Sequence, residues 1–188
     1  MQRRETLKTG LALLGTLGLS SAGFIPVTAS AFDVSRLRMK LVAALRSIDN
    51  EACAVTATRL EAAMHNEVVH LHLRGAGLNA SNAAQIANVL RSLSDSETAG
   101  LVSFSLSYNK DIGNIGAIHL ARALPRTLPE FGLVGCKVGE TGGTALLEWA
   151  EQATGLRMLC IEGNDFSAAL VSRFRALAQA QPHPSVYV

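Results

Sequence analysis

The chain lacks an excess of charge of either sign outside its first 31 residues. Its 188 residues include 17 Lys and Arg and 15 Asp and Glu, a formal net charge of +2 at pH 7. Three of these basic residues and one acidic residue lie in residues 1–31, which leaves 14 of each sign in the rest of the chain. Nucleic-acid binding depends on a surplus of basic side chains. We therefore expect no nucleic-acid partner.

The sequence also lacks the cysteine and histidine spacings of a metal site. It has three cysteines and five histidines, without the CxxC or HxxxH patterns that hold zinc. No Pro-rich linker, low-complexity tract or run of like charge divides residues 32–188. This part of the chain is therefore predicted to be one domain with a continuous core. We expect neither a metal ion nor a cofactor.

What the chain does contain is one pattern that occurs four times between Val68 and Ala178. Each copy opens with two apolar residues on either side of a variable one, and three positions later comes Asn or Cys in three of the four copies. A stretch with apolar residues at four-residue steps follows, which is typical of a helix. A strand, a tight turn and a helix at a repeated period predict a solenoid. The first apolar residues of the copies are Leu71, Phe104, Phe131 and Leu159.

The turn residues Asn109, Cys136 and Asn164 resemble the ladder of the leucine-rich repeat family. The similarity is to its ribonuclease-inhibitor-like class, in which each unit has a full helix. The resemblance implies an α/β fold over residues 50–188. In that fold a short horseshoe has parallel strands on its concave face and helices on its convex face.

Some further positions agree with the pattern of this repeat class, and one departs from it. Gly116 and Gly142 lie where this repeat class favours a small residue in the helix. In the first copy Ala76 takes the ladder position, and because alanine has no polar side chain, we expect a looser turn there. Trp149 lies beside the apolar stripe of its helix and is expected to be partly exposed.

Both flanks of the four copies extend the pattern. Residues 32–49 predict an N-terminal capping helix that shields the first unit, with Leu37, Leu41 and Leu45 in its apolar stripe. Asn50 to Met64 is predicted to be the helix of a half-repeat. At the other end, residues 186–188 repeat the apolar-variable-apolar core one repeat length after the fourth copy and predict a fifth strand.

Residues 1–31 resemble a bacterial twin-arginine export signal. Arg3 and Arg4 are followed by a leucine and a lysine at the expected offsets, then by a glycine-containing apolar run and the small-x-small cleavage pattern Ala29-Ser-Ala31. The run is shorter than the roughly 20 residues of a spanning helix, so we expect a cleaved signal and no stable membrane span. An uncleaved anchor is the alternative. The resemblance implies a periplasmic or secreted bacterial protein.

The variable residues of the predicted strands are the candidate functional residues. Strand side chains alternate between two faces, so these residues share the face opposite the core. Because they are free of packing constraints on rigid strands, they suit recognition of a protein partner. The twelve candidates are His70, His72, Arg74, Ser103, Ser105, Ser107, Glu130, Val134, Met158, Cys160, Glu162 and Tyr187.

These candidates do not predict catalysis. Cys160 and His72 have the residue types of a nucleophile and its base, but three strand spacings separate them by about 14 Å. We therefore predict a non-catalytic protein-interaction module. The alternative is an accessory subunit, or a metal- or small-molecule-binding protein, of an exported enzyme complex, with His70 and His72 as two ligands. Some proteins of this repeat class inhibit nucleases or activate GTPases, which is an analogy of fold alone.

The cysteines are predicted to remain reduced. Cys53, Cys136 and Cys160 fall in different units and in different parts of the unit. A disulfide requires Cα atoms within about 7 Å of each other. We therefore expect three free thiols.

Overall fold

Helices and strands alternate along the residues that the structure describes, 34–64, 67–179 and 184–188. This computed structural model assigns them to one unit, Ala31–Val188. The predicted signal peptide, residues 1–31, lies outside the described residues. The elements are α1 (Ser35–Ser47), α2 (Glu51–Ala62), β1 (Val69–His72), α3 (Ala80–Arg91), α4 (Asp95–Thr98), β2 (Leu101–Ser105), α5 (Gly113–Ala121), β3 (Glu130–Gly132), α6 (Glu140–Gln152), β4 (Met158–Cys160), α7 (Ala168–Leu177) and β5 (Ser185–Tyr187).

The five strands form one sheet in chain order, and every neighbouring pair is parallel. Leu71 pairs with Phe104, which pairs with Phe131, and the register continues through Leu159 to Val186. These are the strand positions that the sequence pattern aligned, so the predicted register and the fifth strand are confirmed. The first four of these side chains are buried, because alternate residues of a strand point to opposite faces.

The helices pack against one another in chain order. α1 contacts α2 and α3, α3 contacts α5, α5 contacts α6, and α6 contacts α7. Their apolar residues form one core with those of the strands. Glycines allow the close approach: a Cβ on Gly116 would lie 3.3 Å from Ala80 Cα, and one on Gly142 would lie 2.9 Å from Asn114 Oδ1. The α/β class with a five-stranded parallel sheet is therefore confirmed.

The predicted turn residues hydrogen-bond the backbone of their own turn and of the preceding one. Asn109 is fully buried, and its Nδ2 donates to the carbonyls of Leu73 and Leu106, each at 2.7 Å. Asn164 makes the equivalent pair of bonds one unit from the end, at 2.8 Å each. Cys136, also fully buried, donates through Sγ to the Leu106 carbonyl at 3.3 Å. The pattern of Asn and Cys therefore reflects backbone satisfaction inside the turns.

The first turn is held by a residue outside the repeated pattern. Asn50 is the N-cap of α2, and its Oδ1 accepts from the Cys53 N–H at 3.1 Å. Its Nδ2 donates to the Ala76 carbonyl at 2.7 Å. The helix cap therefore supplies a hydrogen bond to the turn in which Ala76 has no polar side chain.

Two predictions about helix residues are wrong. Trp149, expected to be partly exposed, is 6% exposed, with its ring 5.7 Å from that of Phe131 and its Nε1 donating to the Leu124 carbonyl at 3.2 Å. The half-repeat helix ends at Ala62, and Met64 beyond it is exposed. Helical periodicity shows which side of a helix is apolar, but the neighbouring helices decide how far around that side is covered.

Candidate functional site

The twelve candidate residues, with Gly132 and Ser185 at the same register positions, form three rows that cross the strands, and we call these rows together the strand face. In the first two rows the residues are Cα partners, and in the third the backbone bonds between successive turns continue the same order. The rows match the alignment of the sequence. They are, first, His70, Ser103, Glu130, Met158 and Ser185; second, His72, Ser105, Gly132, Cys160 and Tyr187; and third, Arg74, Ser107, Val134 and Glu162.

Basic and acidic side chains occupy different parts of the strand face. His70, His72 and Arg74 belong to β1 and the turn after it, whereas Glu130 begins β3 and Glu162 follows β4. None of these five side chains takes part in an ion pair with another described residue. Charged groups that the fold leaves unpaired favour a partner with the complementary pattern.

Three serines of the strand face, those of β2 and the turn after it, are not free of packing constraints, and this corrects the prediction for them. Ser103, Ser105 and Ser107 are 7%, 8% and 1% exposed. The Ser103 Oγ is 2.8 Å from His72 Nε2, and the Ser105 Oγ donates to the Ser107 Oγ at 3.1 Å. The Ser107 Oγ also accepts from the Val134 N–H at 3.0 Å. A serine side chain is short, so longer neighbours cover it and its hydroxyl bonds within the protein.

A cavity of about 190 Å³ opens on the strand face around Gly132. A Cβ on Gly132 would lie 2.9 Å from Ser105 Oγ, so a larger residue there would fill the space or displace the hydroxyl. The volume is below the roughly 300–1,000 Å³ of sites for drug-sized ligands, and it suits a single side chain or a small polar molecule. The sequence pattern showed Gly132 only as one of the variable residues. Polar and soft side chains also line the cavity: His72, Arg74, Glu130, Met158 and Cys160.

The strand face shifts the pKa of two of its own groups. Burial lowers the pKa of His72, and the nearby charges of His70 and Arg74 lower it further, against an opposing effect of Glu130. Burial raises the pKa of the Cys160 thiol, as does the charge of Glu162. Both shifts favour the uncharged form at neutral pH.

The cysteines are free thiols, as the sequence predicted. Burial raises the pKa of Cys53 and of Cys136, so these two thiols are also held in the neutral form. The rings of His70 and His72 lie edge to face with their centroids 6.2 Å apart. The residues that the structure describes contain no group of three or more His, Cys, Asp or Glu side chains that could hold a metal ion.

Sequence reasoning missed Tyr108, which lies in the turn after β2. Its backbone is left-handed, with φ of 65°, and its ring lies 5.0 Å from the Arg74 Cζ. The corresponding residues of the other turns are Gly75, Gly135 and Gly163, all with positive φ. A tyrosine in place of the glycine that the other copies have was the signal in the sequence.

The fold and the strand face define an α/β protein whose parallel sheet has one apolar, buried face and one polar face with unpaired charges. Among the described helices, none has both the length and the apolar character needed to cross a bilayer. No protein-family model and no curated protein matches this sequence. The function is therefore inferred from the strand face itself.

Proposed function

We propose that this chain is an exported, non-catalytic protein-interaction module that binds its partner through the strand face. We further propose that it belongs to the ribonuclease-inhibitor-like class of leucine-rich repeats, with the strands on the concave side of a short horseshoe. The strand-turn-helix order supports this class, as do the backbone hydrogen bonds of the buried turn residues Asn109 and Cys136 and of the half-buried Asn164.

One observation carries the proposal: exposed side chains lie at matching register positions on β1, β4 and β5 of one parallel sheet. His70 and His72 on β1 are exposed, and Met158 on β4 and Tyr187 on β5 are 38% and 49% exposed. An array of this kind on parallel strands is rigid, so little conformational entropy is lost when a partner binds. Apolar, aromatic and charged groups together are the mixture found in protein interfaces.

The N-terminal sequence supports export. Arg3 and Arg4 and the cleavage pattern Ala29-Ser-Ala31 are typical of a twin-arginine signal, and that pathway carries folded proteins. Removal of residues 1–31 leaves a chain with balanced charge, which suits a protein partner better than nucleic acid. We therefore propose a periplasmic or secreted bacterial protein.

The experiment is capture of a partner by the purified protein from a periplasmic lysate. A variant with His72→Ala, Arg74→Ala and Glu162→Ala should lose most of the captured partner, because all three changes fall on the strand face. Loss of about 1–2 kcal/mol per interface side chain would reduce affinity by at least tenfold. Mass spectrometry identifies and quantifies the protein captured by the native chain and by the variant. Circular dichroism verifies that the variant is folded.

A matched variant carries Arg59→Ala, Glu148→Ala and Arg175→Ala, which are exposed residues of α2, α6 and α7. It should capture the partner as the native protein does. If both triple variants capture equally, the strand face is not the binding surface.

The cavity around Gly132 favours a second candidate, a protein that binds a small molecule as an accessory subunit of an exported enzyme complex. Its volume of about 190 Å³ and its His72, Arg74 and Glu130 side chains suit a small polar molecule. Native mass spectrometry of the purified protein separates the two candidates. A stoichiometric small molecule that is lost in Gly132→Val would favour the second one.

A further inference from the structure

Tyr108 occupies a backbone conformation that the fold requires and that tyrosine disfavours. In the turns after β1, β3 and β4 the corresponding residues are Gly75, Gly135 and Gly163, with φ of 61°, 61° and 67°. Tyr108 adopts φ of 65° at the same position. A bulky side chain in the left-handed region is strained because its Cβ crowds the backbone, whereas glycine is not.

Burial does not account for this tyrosine. Its side chain is 53% exposed, so the ring contributes little to the core. Room for the ring is instead provided by Gly135, where a Cβ would lie 3.3 Å from Tyr108 Cδ1. A strained, exposed residue with space made for it is typical of recognition sites.

The ring of Tyr108 holds Arg74 in place. The Arg74 Cζ lies 5.0 Å from the ring centroid, within the range of a cation–π interaction. Among the described residues, no ion pair or side-chain hydrogen bond is formed by the Arg74 guanidinium, although Glu130 and Glu162 belong to the same face. An oriented guanidinium with its donors unused suits a carboxylate, which it binds through two parallel hydrogen bonds.

We propose that Tyr108 and Arg74 form a recognition pair for a carboxylate of the protein partner. Tyrosine and arginine are the residue types that most often dominate binding energy at interfaces. The proposal rests on the proposed function, because it assumes that a protein partner docks on the strand face.

The test uses ¹⁵N-labelled full-length protein and a defined probe, an acetylated and amidated glycine–glutamate–glycine tripeptide. Its glutamine counterpart is the neutral control. We expect the glutamate peptide to shift the Arg74 Nε–Hε signal and the Tyr108 amide signal saturably. Affinity for the glutamine peptide should be lower by about tenfold, since ionised pairs form the stronger hydrogen bonds. Equal affinity for both peptides would overturn the proposal.

Two glycine variants distinguish the effect of the Tyr108 ring on peptide binding from the effect of relieving backbone strain. Tyr108→Gly removes both, and Lys137→Gly relieves the strain at Lys137, an exposed residue with φ of 52°. Both variants should keep or raise the thermal midpoint, but only Tyr108→Gly should bind the glutamate peptide several-fold more weakly. Unchanged binding in Tyr108→Gly would show that the ring plays no part. Tyr108→Asn, which also tolerates positive φ, replaces that variant if it does not fold.

The peptide experiment and the capture experiment fail independently. If the strand face captures a partner but the glutamate peptide does not bind at Arg74, only the carboxylate pair is wrong. If the peptide binds there and the strand-face variant captures its partner normally, the proposed function is wrong, and the carboxylate that Arg74 and Tyr108 bind does not belong to that partner.

Discussion

His72 is an exposed residue of the strand face, but neighbouring groups partly desolvate its ring, and it stands near two other basic side chains. Burial is the largest effect on its pKa, and the charges of His70 and Arg74 act in the same direction. Only Glu130 favours the protonated ring. The imidazole that contacts Ser103 is therefore neutral over more of the acidic range than a free histidine.

We predict that NMR titration of full-length protein will give His72 a midpoint below the ordinary value of about 6.5. Arg74→Gln should raise this pKa, because a like charge is removed, and Glu130→Gln should lower it further. The two charge variants thus act as controls for each other. Shifts in the opposite directions would mean that the charges on the strand face do not act on His72 as described.

The same shift makes stability depend on pH. The folded protein binds a proton at His72 less readily than the unfolded chain does. The contribution of neutral His72 to the free energy of unfolding is therefore complete above the pKa of about 6.5 that the residue has in the unfolded chain. It is lost as the pH falls from that value through the lower folded pKa. In His72→Gln, urea unfolding should vary less between neutral and acidic pH than in the native protein.

At the scale of elements, the turns depend on a few buried polar side chains. Asn109 Oδ1 accepts from the Leu78 N–H at 3.0 Å, while its Nδ2 donates to two carbonyls, so one residue satisfies three backbone groups. A neighbouring helix can also supply an N-cap hydrogen bond. The N-cap residue of α6 is Gly139, which has no side chain, and the Oδ1 of Asn114 in α5 accepts from the Gly139 and Gly142 N–H groups instead. Adjacent units are therefore joined by polar contacts as well as by the core.

Asn109→Ala is predicted to reduce the free energy of unfolding by about 2–4 kcal/mol. The change leaves the Leu78 N–H and the Leu73 carbonyl without the Asn109 side chain, and the Leu106 carbonyl keeps only its weak hydrogen bond from Cys136 Sγ. Each buried backbone group that loses its partner costs roughly 1–3 kcal/mol when nothing replaces it, with partial relaxation limiting the sum. Urea unfolding followed by circular dichroism measures the difference.

Asn88→Ala is the matched control for this change. Asn88 lies exposed on α3, where its side chain accepts from the exposed Arg91 and no buried group of the described residues depends on it. Its loss should change stability by no more than about 0.5 kcal/mol. Similar costs for the two substitutions would contradict the role of Asn109 in the turns.

At the scale of the whole molecule, the proposal of export rests on residues at the far N-terminus. We predict that Arg3→Lys together with Arg4→Lys will leave a precursor of full length in the cytoplasm, because lysine keeps the charge but not the planar guanidinium. Cell fractionation and intact-mass measurement would detect the precursor and, for the native chain, a mature protein that begins at Phe32.

A second pair of substitutions with the same chemistry controls for the loss of arginine itself. Arg173→Lys and Arg175→Lys change two exposed residues of α7, and this variant should be exported normally. Normal export of the Arg3 and Arg4 variant would instead indicate the general secretion pathway.

Local patterns were sufficient to predict the strand register and the turns. The apolar residues Leu71, Phe104, Phe131 and Leu159 recur at the same position of each copy, and a strand that slipped by one position would turn them out of the core. The turn role of Asn109 and Asn164 could also be predicted from the sequence, because the backbone groups that they hydrogen-bond belong to turns of the same repeated pattern. Class, strand order and the rows of the strand face followed from these features.

Burial and shape on the strand face depended on contacts between units. Ser103 and Ser107 read as exposed strand residues, yet neighbouring side chains cover them, and Trp149 is covered by residues distant in the chain. The cavity exists because Gly132 stands beside Ser105, and the Arg74 guanidinium is oriented because Tyr108 lies across from it. Periodicity in the sequence determines to which face a side chain points. Only the tertiary structure determines which residues become its neighbours, and the size of those neighbours decides its exposure and its contacts.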